Sequence, residues 1–153
     1  MAKAREVELD ANEPFAAAAR RVIAVRAQEV FDHSEGVLDT TDIERVHDMR
    51  VATRRLRAAL EVFAAAFAND ELKPVLRDVK RLADALGERR DPDVHLEEFG
   101  KLRETFGPAD QPGVDLLLDD LRTEQARGNQ ILAAELQATV DSDLRGRLLA
   151  LAA

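Results

Sequence analysis

Apolar residues in this chain recur every three or four positions, and no segment alternates with period two long enough to make a strand. The first spacing puts them on one face of an α-helix; a half-buried strand would need strict alternation. Phe15, Ala19, Val22, Ile23, Ala27, Val30 and Phe31 mark one such face and predict a helix from Pro14 to about His33. Asn12 is its expected cap, Pro14 suits the first turn, and His33 in the last turn favours the macrodipole. Ser34 to Thr41 reads as a polar loop. Thr41 or Asp42 starts a second helix, with Glu44 as the capping-box partner of Thr41. Its apolar face runs through Val46, Met49, Thr53, Leu56, Leu60 and Phe63 to about Phe67, where Asn69-Asp70 breaks it.

Pro74 opens a third helix, packed through Val75, Leu76, Val79, Leu82, Ala83 and Leu86, with Gly87 as its C-cap. Glu88 to Val94 reads as a tight polar corner. Asp93 is then expected to cap a fourth helix, Val94 to about Phe106, packed through Leu96, Phe99 and Leu102. The stretch Gly107 to Gly113 is rich in breakers and reads as a loop and a candidate for mobility. Val114 to about Thr139 forms a long helix in which Gly128 marks a kink or a close contact. Asp141-Ser142-Asp143 starts a last short helix ending at Ala153. Met1 to Asn12, charged and mixed in sign, is expected to be a flexible lead-in. The expectation is an all-α fold, an antiparallel bundle of four main helices plus short additions, in one domain over residues 13–153.

Composition narrows the functions available. The chain has 153 residues, enough for one domain with a real core. It has no Trp and no Tyr, so stacking platforms for single-stranded bases are missing. Without cysteine there is neither a disulfide framework nor thiol chemistry. The N-terminus lacks an apolar signal region and no run approaches the roughly 18 residues needed to span a bilayer, which reads as soluble and cytoplasmic. Net charge is 22 − 30 = −8, so the chain as a whole is not steered toward nucleic acid or anionic lipid. Any anion binding has to be local.

The second helix supplies a local candidate. At 100° per residue, His47, Arg50, Arg54 and Arg57 fall on a second stripe, centred about 120° from the apolar one. Neighbours on that stripe are about 5–6 Å apart, a row that suits an extended polyanion. A charged stripe on a bundle helix is ordinarily a solvated face, and the chain's 30 acids offer many partners. Against that, neither neighbour of Arg54 at four residues is acidic, and the same holds for Arg50, so the stripe repels itself. Lys73, Arg77 and Lys80 form a second cationic row on the third helix, beside Arg81. At the polar corner, Arg90 is either a ligand contact or a local clamp to Asp91 or Asp93. His47 reads either as a phosphate contact or as a structural histidine.

Catalytic signatures are missing: no phosphate-binding glycine loop, no H-E-x-x-H, no nucleophile elbow. The three histidines are scattered, and E-x-x-H occurs only at Glu44 to His47, half of what a di-iron bundle requires. No cofactor and no metal are expected, and the chain reads as a binder and not as an enzyme.

The motif H47-x-x-R50-V51-x-x-R54-R55-L56-R57, followed by L86-G87-x-x-R90-D91-x-D93-V94, resembles the CHAD domain, the conserved-histidine α-helical domain. The resemblance covers about Phe15 to the C-terminus. It implies binding of inorganic polyphosphate by basic residues, and a cytoplasmic place that could include polyphosphate granules. His47, Arg50, Arg54, Arg55 and Arg57 match the first motif and Arg90 the second, with Lys80 and Arg81 in a region that is often basic. The family's domain usually holds two such bundles, and this chain matches one. The chain is then either a fragment or a half-domain whose missing half a homodimer replaces; the homodimer is the favoured expectation, and it places two arginine stripes across one axis. Two other readings stay open, a nucleic-acid binder using the same arginines and a purely structural protein-interaction bundle.

Overall fold

The computed structural model describes residues 3–153 and is all-helical among them. Helix α1 spans Phe15–Asp32, α2 Ile43–Val62, α3 Asn69–Arg103, α4 Gln111–Asp141 and α5 Leu144–Leu151, with a short 3-10 turn at Ala64–Ala66. Consecutive helices pack on one another, and α5 closes the bundle against α1, α3 and α4. Short connections between α1, α2, α3 and α4 make each an antiparallel neighbour of the last. Ile23, Met49, Leu56, Leu60, Leu82, Leu86, Leu132, Leu144 and Leu148 are fully buried, one core drawn from all five helices. Burying each such side chain contributes roughly 1.5–3 kcal/mol. No described helix is long and apolar enough to cross a membrane.

Residues 3–14 form no helix but are tied to α1. The Arg5 amide donates to Glu29 at 2.6 Å, Arg26 donates back to the Arg5 carbonyl at 3.0 Å, and Arg21 donates to the Glu8 carbonyl at 2.7 Å. The part of the lead-in formed by Met1 and Ala2 lies outside the described residues. Pro14 stands at the N-cap of α1 and Asp42 at that of α2, neither with a capping side-chain bond. The Thr41–Glu44 box does not form, because the Thr41 hydroxyl and amide both donate to Asp39. Asn12 does not cap α1 either; its amide donates to Asp10 at 2.8 Å.

The largest departure is α3. The expected third and fourth helices are one helix of 35 residues, about 52 Å long at 1.5 Å per residue. Asn69-Asp70 begins this helix and does not break its predecessor. Pro74 and Pro92 lie inside it, Gly87 is mid-helix and not a C-cap, and Asp93 is a buried interior residue and not an N-cap. Pro92 removes the amide that would bond the Glu88 carbonyl, ordinarily a helix-breaking loss. Here Arg89 and Asp93, both fully buried, form a side-chain ion pair across that turn. From α4, Gln125 donates to Asp93 at 2.7 Å, while Arg89 donates to Asn129 at 3.1 Å. Asn129 in turn donates to the Leu38 carbonyl at 3.0 Å, fastening the α1–α2 loop to the same point.

Gly128 makes this junction close. A Cβ there would lie 2.9 Å from the Glu88 carbonyl oxygen and 3.0 Å from the Arg89 Cα. Of the two readings of Gly128, close packing is what the structure shows. At the far end, the Q-P-G part of the expected loop is the first turn of α4, and Arg103 bridges Asp115 at 2.5 Å. Asp143 caps α5 from the left-handed region and accepts the Gly146 amide at 3.1 Å.

Two glycine substitutions should therefore act in opposite directions. Gly87→Ala meets nothing within 4 Å and should stabilise by about 0.5–1 kcal/mol in urea unfolding. Gly128→Ala forces backbone apart and should destabilise by at least about 1–3 kcal/mol. Equal effects from the two would show that α3 and α4 do not meet as described.

Candidate functional site

Helix α2 builds the cationic side. Val46, Met49, Ala52, Thr53, Leu56 and Leu60 are buried, so the stripe 120° away emerges at the rim of the packed face. The buried Thr53 hydroxyl donates to the Met49 carbonyl at 2.8 Å, and its polarity is satisfied inside the helix. Arg50, Arg54 and Arg57 line one open groove of ≈ 500 Å³, whose other wall is Ala83, Asp84, Gly87, Glu88 and Asp91 of α3. Ala83 and Gly87, a turn apart, leave the space that larger side chains would fill.

The three arginines are not alike. Arg57 donates to Glu61 at 3.2 Å, and Lys80 of α3 lies 3.4 Å from the same oxygen. The Arg57 guanidinium foremost, with Lys80, holds the Glu61 carboxyl below the usual range despite partial desolvation. Arg50 and Arg54 have no hydrogen bond or ion pair among the described residues, nor do Asp84, Glu88 and Asp91 opposite. A row of cations and a row of anions thus share one groove without bonding. Arg55, half-buried, joins Arg54, Val51 and Ala58 around a shallower depression of ≈ 280 Å³ on the other side of the stripe.

The α3 cations divide. Lys80 comes to the groove through Glu61, whereas Arg77 and Arg81 turn to Asp78, each 3.4 Å from it. Arg147 of α5 reaches the same carboxylate at 2.5 Å, and Arg81 also lies 3.4 Å from Glu135. Asp78 is 5% exposed, and a buried carboxylate needs such company. Burial pushes its carboxyl up, but the Arg147 bond and the charges of Arg147 and Arg81, with the Arg77 bond, outweigh that and leave it below its ordinary value. Lys73 is exposed and without an ion pair among the described residues.

Arg90 stands outside the groove, half-buried, with one terminal nitrogen buried and unpartnered. The clamp at this turn is made by its neighbour, Arg89, with Asp93. A helical reading of the 88–94 stretch would have found that pair by its four-residue spacing. His47 is half-buried beside Glu44 and Asp48, and the three offer donor atoms within 4.8 Å of one another. One imidazole and two carboxylates form a donor set of the kind that zinc or manganese takes. The sequence pattern had stopped at Glu44 and His47.

The depressed Asp78 carboxyl stabilises the fold while ionised. That contribution is fully present above its unfolded value, about 3.9, and is lost as pH falls through the lower folded value. Asp78→Asn should cost about 1–3 kcal/mol at pH 7 in urea unfolding, and should lose less stability than the native chain between pH 5 and pH 2. Parallel pH profiles would contradict the role given to Asp78.

No curated protein matches the chain. Residues 21–153 match the family model of the CHAD domain. That span includes both walls of the groove, the stripe from His47 to Arg57 and the turn held by Arg89 and Asp93. With nearly its whole length inside the match, the chain belongs to the CHAD domain family, a family associated with polyphosphate binding.

Proposed function

We propose that the chain binds inorganic polyphosphate along the α2 wall of the groove, as a binding module without turnover. One observation carries this reading: Arg50 and Arg54 have no carboxylate partner among the described residues, in a chain with eight more acids than bases. Two arginines left unpaired in such surroundings retain their full capacity for an anion. Their planar forks suit phosphate oxygens in pairs. His47 at one end and Arg57 with Lys80 at the other extend the row, and Arg55 widens it on the outer side of α2. Arg77 and Arg81 are committed to Asp78, and Lys73 and Arg90 stand apart from the groove. The primary contacts are therefore His47, Arg50, Arg54, Arg57 and Lys80.

The opposite wall supports a narrow ligand. Asp84, Glu88 and Asp91 repel any anion that reaches across the groove, so a thin chain lying against α2 is favoured over a duplex. Glu61 is an internal competitor, since it occupies the Arg57 and Lys80 cations that a polyphosphate would also use.

Calorimetric titration of long-chain polyphosphate tests the reading, with duplex DNA as the control. Engaging about four cations should lower affinity roughly 30–100-fold between 50 and 200 mM salt, by analogy with counterion release from nucleic acid. The triple substitution Arg50→Ala, Arg54→Ala, Arg57→Ala should weaken binding at least about 100-fold, as loss of several charge-assisted bonds requires. Glu61→Gln should tighten it about two- to fivefold, a few tenths to one kcal/mol of released ion pairing. Unchanged affinity in the triple variant would sink the assignment, and magnesium-dependent release of orthophosphate would overturn the absence of turnover.

A further inference from the structure

We propose that a second copy of this chain docks on the groove face, the arginine row of each copy against the acidic row of the other. Asp84, Glu88 and Asp91 are spaced by four and three residues and so lie in one line on α3, parallel to the line of Arg50 and Arg54 on α2. Neither line is ion-paired among the described residues. The face continues onto α4: Glu88 and Asp91 also border an adjoining depression with Glu124, Arg127 and Ile131. Ile131 is 40% exposed, and Leu117, fourteen residues earlier on the same side of α4, is 39% exposed. The charged rows thus have an apolar edge beside them.

A positive row beside a negative row is complementary to itself. A two-fold axis lying in the face and running along the groove turns the positive row of one copy onto the negative row of the other, and does so twice. Such pairing favours encounter and fixes register. An arrangement with two arginine stripes facing each other would also set acids against acids, so the acidic wall rules against that geometry. The occupant is the chain itself because both halves of the match are on one face.

Taken with the polyphosphate reading, on which this one consequence rests, docking and polyphosphate compete for Arg50 and Arg54. A polyanion then releases single chains, and does not bridge a pair.

Charge exchange tests the docking. In light scattering at low salt, the native chain should pass from one to two chain masses as concentration rises. Arg50→Glu with Arg54→Glu, and separately Glu88→Arg with Asp91→Arg, should each stay at one chain mass, with circular dichroism confirming the helices. Their equimolar mixture should return to two, since every contact is again between opposite charges. Should a double variant unfold, Arg54→Glu and Glu88→Arg alone replace it. A native chain that never doubles, a variant that doubles alone, or a mixture that does not pair would each overturn the proposal. Excess tripolyphosphate, too short to join two copies, should return the native dimer to one mass. A dimer that persists with tripolyphosphate bound overturns the shared face; a working charge exchange with no binding of long-chain polyphosphate overturns the polyphosphate reading and leaves the dimer standing.

Discussion

The fold depends on how a buried charge on α3 is matched. Pro92 removes one backbone bond from the middle of a long helix, and that loss by itself would end or kink it. Arg89 and Asp93 span the same turn with a side-chain bond, and Gln125 and Asn129 each add one bond from α4, with one Arg89 nitrogen and one Asp93 oxygen left buried and unpartnered. A buried pair of this kind is weak evidence of net stability, but it tolerates few alternatives, because removing either charge leaves the other buried without its counter-charge. Its contribution is therefore register. It sets α3 against α4, and through the Leu38 carbonyl it sets the α1–α2 loop against both.

The same accounting of charge explains which cations are left over. Asp78 gathers three arginines, Glu29 holds Arg26, and Asp115 holds Arg103. Each is a local solution on one helix or between two neighbours. Arg50 and Arg54 face instead a wall whose acids lie across a gap kept open by Ala83 and Gly87. The groove is thus a by-product of small residues as much as of charged ones.

Most helices were legible because their apolar residues repeat at helical spacing and their limits carry Pro, Gly or Asp. The stripe on α2 was legible for the same reason, since position on a helix follows from residue number alone. The division of α3 was misread at Gly87 and at the 88–94 corner that holds Pro92, since a glycine or a proline breaks a helix only when nothing bridges the turn. The bridging residues come from α4, about 35 residues away, and no local pattern announces them. That single misreading also hid the acidic wall. Asp84, Glu88 and Asp91 form a line only if the helix runs unbroken through them. Likewise, Arg77 and Lys80 looked equivalent in sequence, and only their partners separate them, Asp78 on α3 itself for Arg77 and Glu61 across on α2 for Lys80.

The unbroken length of α3 has a mechanical meaning. Its first half lies in the core and its second half pairs with α4, and the groove wall sits between, at Asp84 to Asp91. The braced turn at Pro92 denies this rod a joint beside the groove. The wall cannot swing toward α2 without dragging core leucines with it. Whatever enters must be accommodated by rotation of long side chains on α2, at the cost of rotamer freedom and not of backbone movement. Under the proposed function, such a groove would serve as a gauge of fixed width, selecting by thickness before chemistry.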